Sequence, residues 1–247
     1  MLVFLFFTTN NYQQAQTVQV TALEDVNLRN ETTEINLDTT GLNSESVSVN
    51  ITDNDTQSLI LSPNAITLDE GSSETIALSL SYQPNSNVSL SVSNPDSGRL
   101  TLNSSNFFFT PSNWNSPQYL TIQSLADDDA DDNNLSLNFS GTGISQQSFS
   151  VNVTDTDEQA LIVSNGNITI IEGSSNTFTV RLAQRPSSNT SVTLSSNNPA
   201  VTISPSSFVV NTSNFTSPRT ISISSPQDND LADALAEITV EEQNAPS

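Results

Sequence analysis

Val151-Asn152-Val153-Thr154-Asp155-Thr156-Asp157 restates, 102 residues on, the stretch Val49-Asn50-Ile51-Thr52-Asp53-Asn54-Asp55. Each version alternates apolar and polar residues and then ends in two aspartates one residue apart. Period-two alternation is the pattern of a strand with one face buried and one face wet. Working outward, the same spacing recurs. Leu59-Ile60-Leu61-Ser62 returns as Leu161-Ile162-Val163-Ser164, Glu70-Gly71-Ser72-Ser73 as Glu172-Gly173-Ser174-Ser175, and Phe6-Phe7-Thr8 as Phe108-Phe109-Thr110. A fixed period marks an array of like units. It divides the chain into a partial repeat (1–57), a complete one (58–158) and a third (159–247) that stops before a counterpart of Ser148–Thr154.

Within the complete repeat, Ile76, Leu78 and Leu80 alternate with Ala77, Ser79 and Ser81. Val88, Leu90 and Val92 alternate with serines, and Leu120, Ile122, Leu135, Leu137, Phe139, Phe149, Val151 and Val153 follow the same rule. Turn-forming stretches such as Gln83-Pro84-Asn85-Ser86-Asn87 separate these runs. Seven or eight short strands in about 100 residues predict an all-β fold: tandem immunoglobulin-like antiparallel β-sandwiches, head to tail. The third repeat carries the pattern at Phe178, Val180, Leu182, Val192, Leu194, Ile221, Ile223, Ile238 and Val240. The first is expected to hold four strands, over 5–8, 17–23, 33–37 and 46–52. Leu231, Leu235 and Ile238 are spaced like a helical face, but the repeat assigns that segment to a loop entering a strand. Trp114, Tyr12 and Phe215 share one phase of the repeat and read as core or turn packing, as do Phe107 and Phe109.

Composition narrows the function. The 247 residues carry 27 acids and five arginines (Arg29, Arg99, Arg181, Arg185 and Arg219), for a net charge of −22. Nucleic acid and anionic membranes need cations that this chain lacks. There is no cysteine and no histidine, so disulfides and thiolate or imidazole metal sites are excluded. Nucleophile–base pairs of the Ser-His or Cys-His kind are excluded too, and with no Gly-rich phosphate loop the expectation is a protein that is not an enzyme. The apolar start Met1–Phe7 lacks a basic flank and a cleavage site, and its register with the next copy reads as a strand. Asn-X-Ser/Thr sites, among them Asn30, Asn50, Asn87, Asn138 and Asn211, carry little weight in a chain so rich in these residues.

The acids recur in three clusters per repeat. Glu70 is matched by Glu172. Asp127-Asp128-Asp129 with Asp131-Asp132 is matched by Asp228, Asp230 and Asp233, and by Glu24-Asp25 in the first copy. Asp155 and Asp157 are matched by Asp53 and Asp55. If the last three strands form consecutive hairpins, all three clusters meet at one pole of the sandwich, where the next unit attaches. Carboxylates gathered there without cationic partners repel one another. Hard oxygen donors of this kind suit Ca²⁺.

The Asp-Asn-Asp and Asp-Thr-Asp boundaries, the Glu-Gly turn, the Asn-Trp-Asn-Ser-Pro-Gln stretch (113–118) and the Asp-rich loop together resemble Calx-β-type and cadherin-like repeats of large bacterial surface proteins. The resemblance implies Ca²⁺ at the end of the sandwich, with Glu70, Asp127, Asp129, Asp155 and Asp157 as ligands. Asp25, Asp53, Asp55, Glu172, Asp228 and Asp230 are the corresponding residues of the flanking copies. It implies an extracellular, cell-surface role as a fibre or adhesin stalk stiffened by calcium. The partners would be adjoining repeats of a longer chain or neighbouring copies, with surface glycans as a further class. The alternative is a filament subunit completed by strand exchange.

Overall fold

A computed structural model of the chain describes residues 3–229 and 233–244. No helix occurs among them; the chain is all-β, in several antiparallel sheets. The N-terminal region contributes one hairpin, β1 (Glu31–Leu37) with β2 (Glu45–Ile51), paired from Glu31↔Ile51 to Leu37↔Glu45. The segments over 5–8 and 17–23, expected as strands, are not in any ladder. A strand exists only through its neighbour's hydrogen bonds. The counterpart of 5–8 in the next repeat pairs with a strand that has no equivalent in residues 1–57. Phe4, Phe6 and Tyr12 accordingly stay exposed, Tyr12 against the expectation of a packed ring.

The central region runs β3 (Leu59–Ser62), β4 (Ala65–Asp69), β5 (Ser73–Leu80), β6 (Val88–Ser93), β7 (Leu100–Leu102), β8 (Asn106–Phe109), β9 (Gln118–Ser124), β10 (Asn133–Gly141) and β11 (Ile144–Thr154). Two sheets form, in the orders β3-β5-β9-β7 and β4-β11-β10-β6-β8. All pairings are antiparallel except β4 with β11, which run together from Ala65↔Ser150 to Asp69↔Thr154. The inward residues of both sheets close one core. Ile76, Leu78, Leu100, Leu120, Ile122, Leu137, Phe109 and Phe149 are fully buried, and Phe139 meets Phe149 edge-on at 6.3 Å. Burial of about 25 cal/mol per Å² of apolar surface is what holds such a sandwich together, for there is no disulfide to do so. Trp114 packs against this core, and its carbonyl accepts the Leu80 amide at 2.9 Å.

The C-terminal region repeats the plan with β12 (Leu161–Val163), β13 (Ser175–Leu182), β14 (Thr190–Ser196), β15 (Thr202–Ser204), β16 (Ser207–Val210), β17 (Arg219–Ser224) and β18 (Ile238–Asn244). Its sheets are β12-β13-β17-β15 and β16-β14-β18, over a core of Phe178, Val180, Leu182, Val192, Leu194, Phe215, Ile221 and Ile223. Phe215 is buried as its phase demands. The counterpart of β4, residues 167–171, is irregular and joins no ladder among the described residues. Ile168 and Ile170 still lie against the core while Ile171 is exposed. No helix forms over 233–244; Leu235 is 97% exposed and Ile238 opens β18. Leu231 lies outside the described residues.

Strand directions in the central sandwich send every charge to one end. Between Ser58 and Glu158 there are twelve acids and one arginine. They occupy the turn after β4 and the start of β5, the β6–β7 loop, the β9–β10 loop and the segment after β11. The opposite pole, built from 81–87, 110–117 and the β10–β11 turn, carries none.

Candidate functional site: the acidic pole and the two junctions

At the charged pole the Glu-Gly turn is fixed first. Gly71 sits at φ 72° and Gly173 at φ 73°, the left-handed region that glycine enters without penalty. The Glu70 amide donates to the Thr154 carbonyl at 2.9 Å. The buried Ser124 hydroxyl lies 2.8 Å from the Asp69 carbonyl, to which it donates. The end of β11, the end of β9 and this turn are thereby brought together, although only β10–β11 is the hairpin expected from sequence: β9 and β10 lie in different sheets, and their loop crosses between them at this pole.

Carboxylate oxygens of Glu70, Asp127 and Asp155 lie within 4.8 Å of one another, all three residues half-buried. The Asp127 amide donates to Glu70 Oε1. Loss of solvation pushes the Glu70 carboxyl up; the Asp127 amide opposes this, and the charges of Asp155, Asp127 and Asp157 reinforce it. Around them runs a chain of Asx turns, in which each side chain accepts the amide two residues on. Asp127 accepts from Asp129 at 2.9 Å, Asp129 from Asp131 at 3.0 Å and Asp155 from Asp157 at 2.6 Å. Asp132 accepts from the Asp155 amide at 2.8 Å, tying the two loops.

The cluster does have cationic partners, contrary to expectation. Arg99, from the β6–β7 loop, lies 3.3 Å from Asp127 and 3.7 Å from Asp129. Arg185, from the β13–β14 turn of the next sandwich, lies 2.8 Å from both Asp128 and Asp129, and its amide donates to the Asp128 carbonyl at 2.5 Å. Asp129 is 6% exposed, and burial raises its pKa; the Asp131 amide lowers it, the Asp127 charge raises it, and Arg185 and Arg99 lower it.

One repeat earlier, the junction between the hairpin region and the central sandwich has the same frame. Asp25 accepts from the Asn27 amide and Asn27 from the Arg29 amide, both at 2.8 Å. Asn30 accepts from Asp53, and Asp53 from Asp55, again at 2.8 Å. A parallel bridge joins Asn27 to Gln83, as another joins Asp129 to Arg185. Gln57 donates to the Tyr82 carbonyl and Gln159 to the Gln184 carbonyl, each at 2.9 Å. Side chains differ. Arg29 reaches Asn85 at 3.2 Å, and the Tyr82 hydroxyl bonds to Asp55, which raises its pKa.

The predicted ligands therefore separate. Glu70, Asp127 and Asp155 come together; Asp157 lies beside them, and Asp129 is engaged by arginine. Asp25 and Asp53 act as turn acceptors and Asp55 meets the Tyr82 hydroxyl; the three form no comparable three-carboxylate cluster among the described residues. Glu172 accepts from Gln227 at 2.9 Å, the Asp228 carbonyl accepts from the same amide at 3.4 Å, and Asp230 lies outside the described residues. Sequence reasoning passed over Arg99, Arg185, Gln57 and Gln159. The glutamines were visible at the repeat spacing, and Arg185 as a departure from it at Gln83.

No family model matches the chain, and no curated protein matches it. Similar solved structures include WR4, a C. elegans MSP family member, at 11% identity and TM-score 0.29, covering 40% of this chain and 97% of that one. They also include the YadV chaperone at 9% and 0.31, covering 75% and 93%. A protein of unknown function from Porphyromonas gingivalis W83 follows at 12% and 0.27, covering 68% and 83%. None of the three is named as a Calx-β or cadherin protein, and likenesses at this level carry no functional argument. No helix among the described residues is long and apolar enough to cross a membrane, which says nothing of a β-barrel.

Proposed function

We propose that the chain is a structural segment of an extracellular fibre or adhesin stalk, built of immunoglobulin-like sandwiches in head-to-tail order. The observation that carries this reading is the recurrence, 102 residues apart, of the junction's hydrogen bonds: the Asx turns, the backbone bridge and the linker glutamine. A joint rebuilt in the same form at each boundary is a device for holding one unit against the next. The reading is mechanical, and its resemblance is to Calx-β-type and cadherin-like repeats.

Calcium is the proposed cofactor, with Glu70, Asp127 and Asp155 as its main protein ligands and Asp157 adjacent. The donor set fits: hard oxygens, half-buried, with Glu70 driven toward its neutral form in the absence of a cation. Extracellular sites of this kind bind with Kd of roughly 10⁻⁴–10⁻³ M. Saturation to about tenfold above Kd adds about 1.4 kcal/mol to stability through linkage. Calorimetric melting with calcium and then with chelator tests this. The chain gains stability with calcium, and Glu70→Gln with Asp155→Asn abolishes the gain. Identical melting with and without calcium removes calcium from the proposal.

A further inference from the structure

We infer that Arg185 is a built-in counter-ion, supplied by the C-terminal sandwich to the acidic pole of the central one, that closes the second junction without a metal. The inference rests on the proposed reading of the pole as a joint and is independent of its calcium. One residue makes three contacts on two consecutive residues: Nη2 to Asp129 and Nε to Asp128 at 2.8 Å, and its amide to the Asp128 carbonyl at 2.5 Å. The Nη2 contact is a hydrogen bond to Asp129, while Nε meets Asp128 as an ion pair outside hydrogen-bond geometry; the planar guanidinium fork thus sets its charge between adjacent carboxylates. Asp129 is 6% exposed, and a carboxylate so buried is costly unless a cation meets it.

The first junction supplies the control. Its backbone is the same, yet the residue in the place of Asp129 is Asn27 and the residue in the place of Arg185 is Gln83. Acid and arginine are present together at one boundary and absent together at the other. A neutral pair and a charged pair thus occupy equivalent frames, and only the charged frame needs its counter-ion. At the second junction Arg185 leaves Glu70 and Asp155 aside: among the described residues no ion pair joins either to an arginine. A divalent cation and the arginine therefore act on different carboxylates, sharing only Asp127, which is 3.8 Å from Arg185.

The test uses the full chain, whose lack of cysteine allows clean spin labelling. Labels at Thr101→Cys and Ser195→Cys report distances across the second junction, and labels at Ser46→Cys and Thr101→Cys report the first. In chelator the second pair gives a narrow distribution that Arg185→Gln broadens, while Arg185→Lys, which keeps the charge but not the fork, broadens it less. Salt at about 1 M, where the Debye length is ~3 Å, broadens the unsubstituted second junction and leaves the first unchanged. The inference is overturned if Arg185→Gln, melting as a folded protein, keeps the narrow distribution in chelator. It is also overturned if high salt moves both junctions alike. Adding calcium to Arg185→Gln addresses the separate proposal: failure to narrow the distribution counts against calcium and leaves the clamp standing.

Discussion

Where the N-terminal hairpin region meets the central sandwich, Asn27 faces Gln83; where the central sandwich meets the next, Asp129 faces Arg185. The Asx turns, the backbone bridge and the linker glutamine's bond beneath the two pairs are the same. What the difference teaches is that the frame and the charge are separable. An Asx turn needs only a side-chain oxygen at the right distance, and Asn supplies it as well as Asp. The frame can therefore persist while charge is added or removed above it. The charged version carries a desolvation cost that the neutral version does not, and the arginine offsets it.

The largest expected contrast comes from truncating the matched positions. Asp129→Ala leaves Arg185 and Arg99 without their most buried partner and removes a turn acceptor, and is expected to cost about 2 kcal/mol. Asn27→Ala removes the turn acceptor alone and costs about 1 kcal/mol. Equal losses in calorimetric melting would erase the distinction between the junctions. Next, the shared frame is probed by Gln57→Ala and Gln159→Ala. Each loses an equivalent bond to the following turn, and each is expected to cost about 1 kcal/mol by chemical denaturation. Unequal costs would show that the frames are less alike than their distances.

A smaller effect follows from pH. Glu70 and Asp129 hold protons more tightly in the folded chain than in the unfolded one. Between the unfolded pKa and the raised folded one, the native state binds more protons, so stability falls as pH rises through that window. In chelator, these two groups are expected to raise the melting temperature modestly as pH is lowered through that window. Calcium, by holding Glu70 ionised, is expected to flatten that dependence. A chelator profile that only falls toward acid would contradict the sign.

Much of this was legible in residues 49–55 and 151–157. The repeat spacing located the strands of both sandwiches, and alternation picked out a core that includes Ile76, Leu120, Phe139 and Phe149. Convergence of Glu70, Asp127 and Asp155 followed from strand direction alone. What was missed depends on partners. Residues 5–8 match 107–110, which overlap β8, at three of four positions, but among the described residues they join no ladder, so propensity had nothing to act through. Tyr12 has the phase of Trp114 but no core beneath it. Arg99 and Arg185 lie far in sequence from Asp127 and Asp129, and a pattern of repeating acids gives no hint of an arginine that does not repeat.

The central sandwich keeps all its charge at one pole, and its flanks are clothed in Ser, Thr, Asn and a few exposed apolar residues such as Ile60, Phe108 and Tyr119. In the proposed stalk, a rod of units like this one would be striped, each acidic band followed by an uncharged one. Two striped rods side by side repel most when their bands are level and least when one slides by half a unit. Side-by-side contact would thus favour a stagger, set by where the acids sit and relaxed by salt.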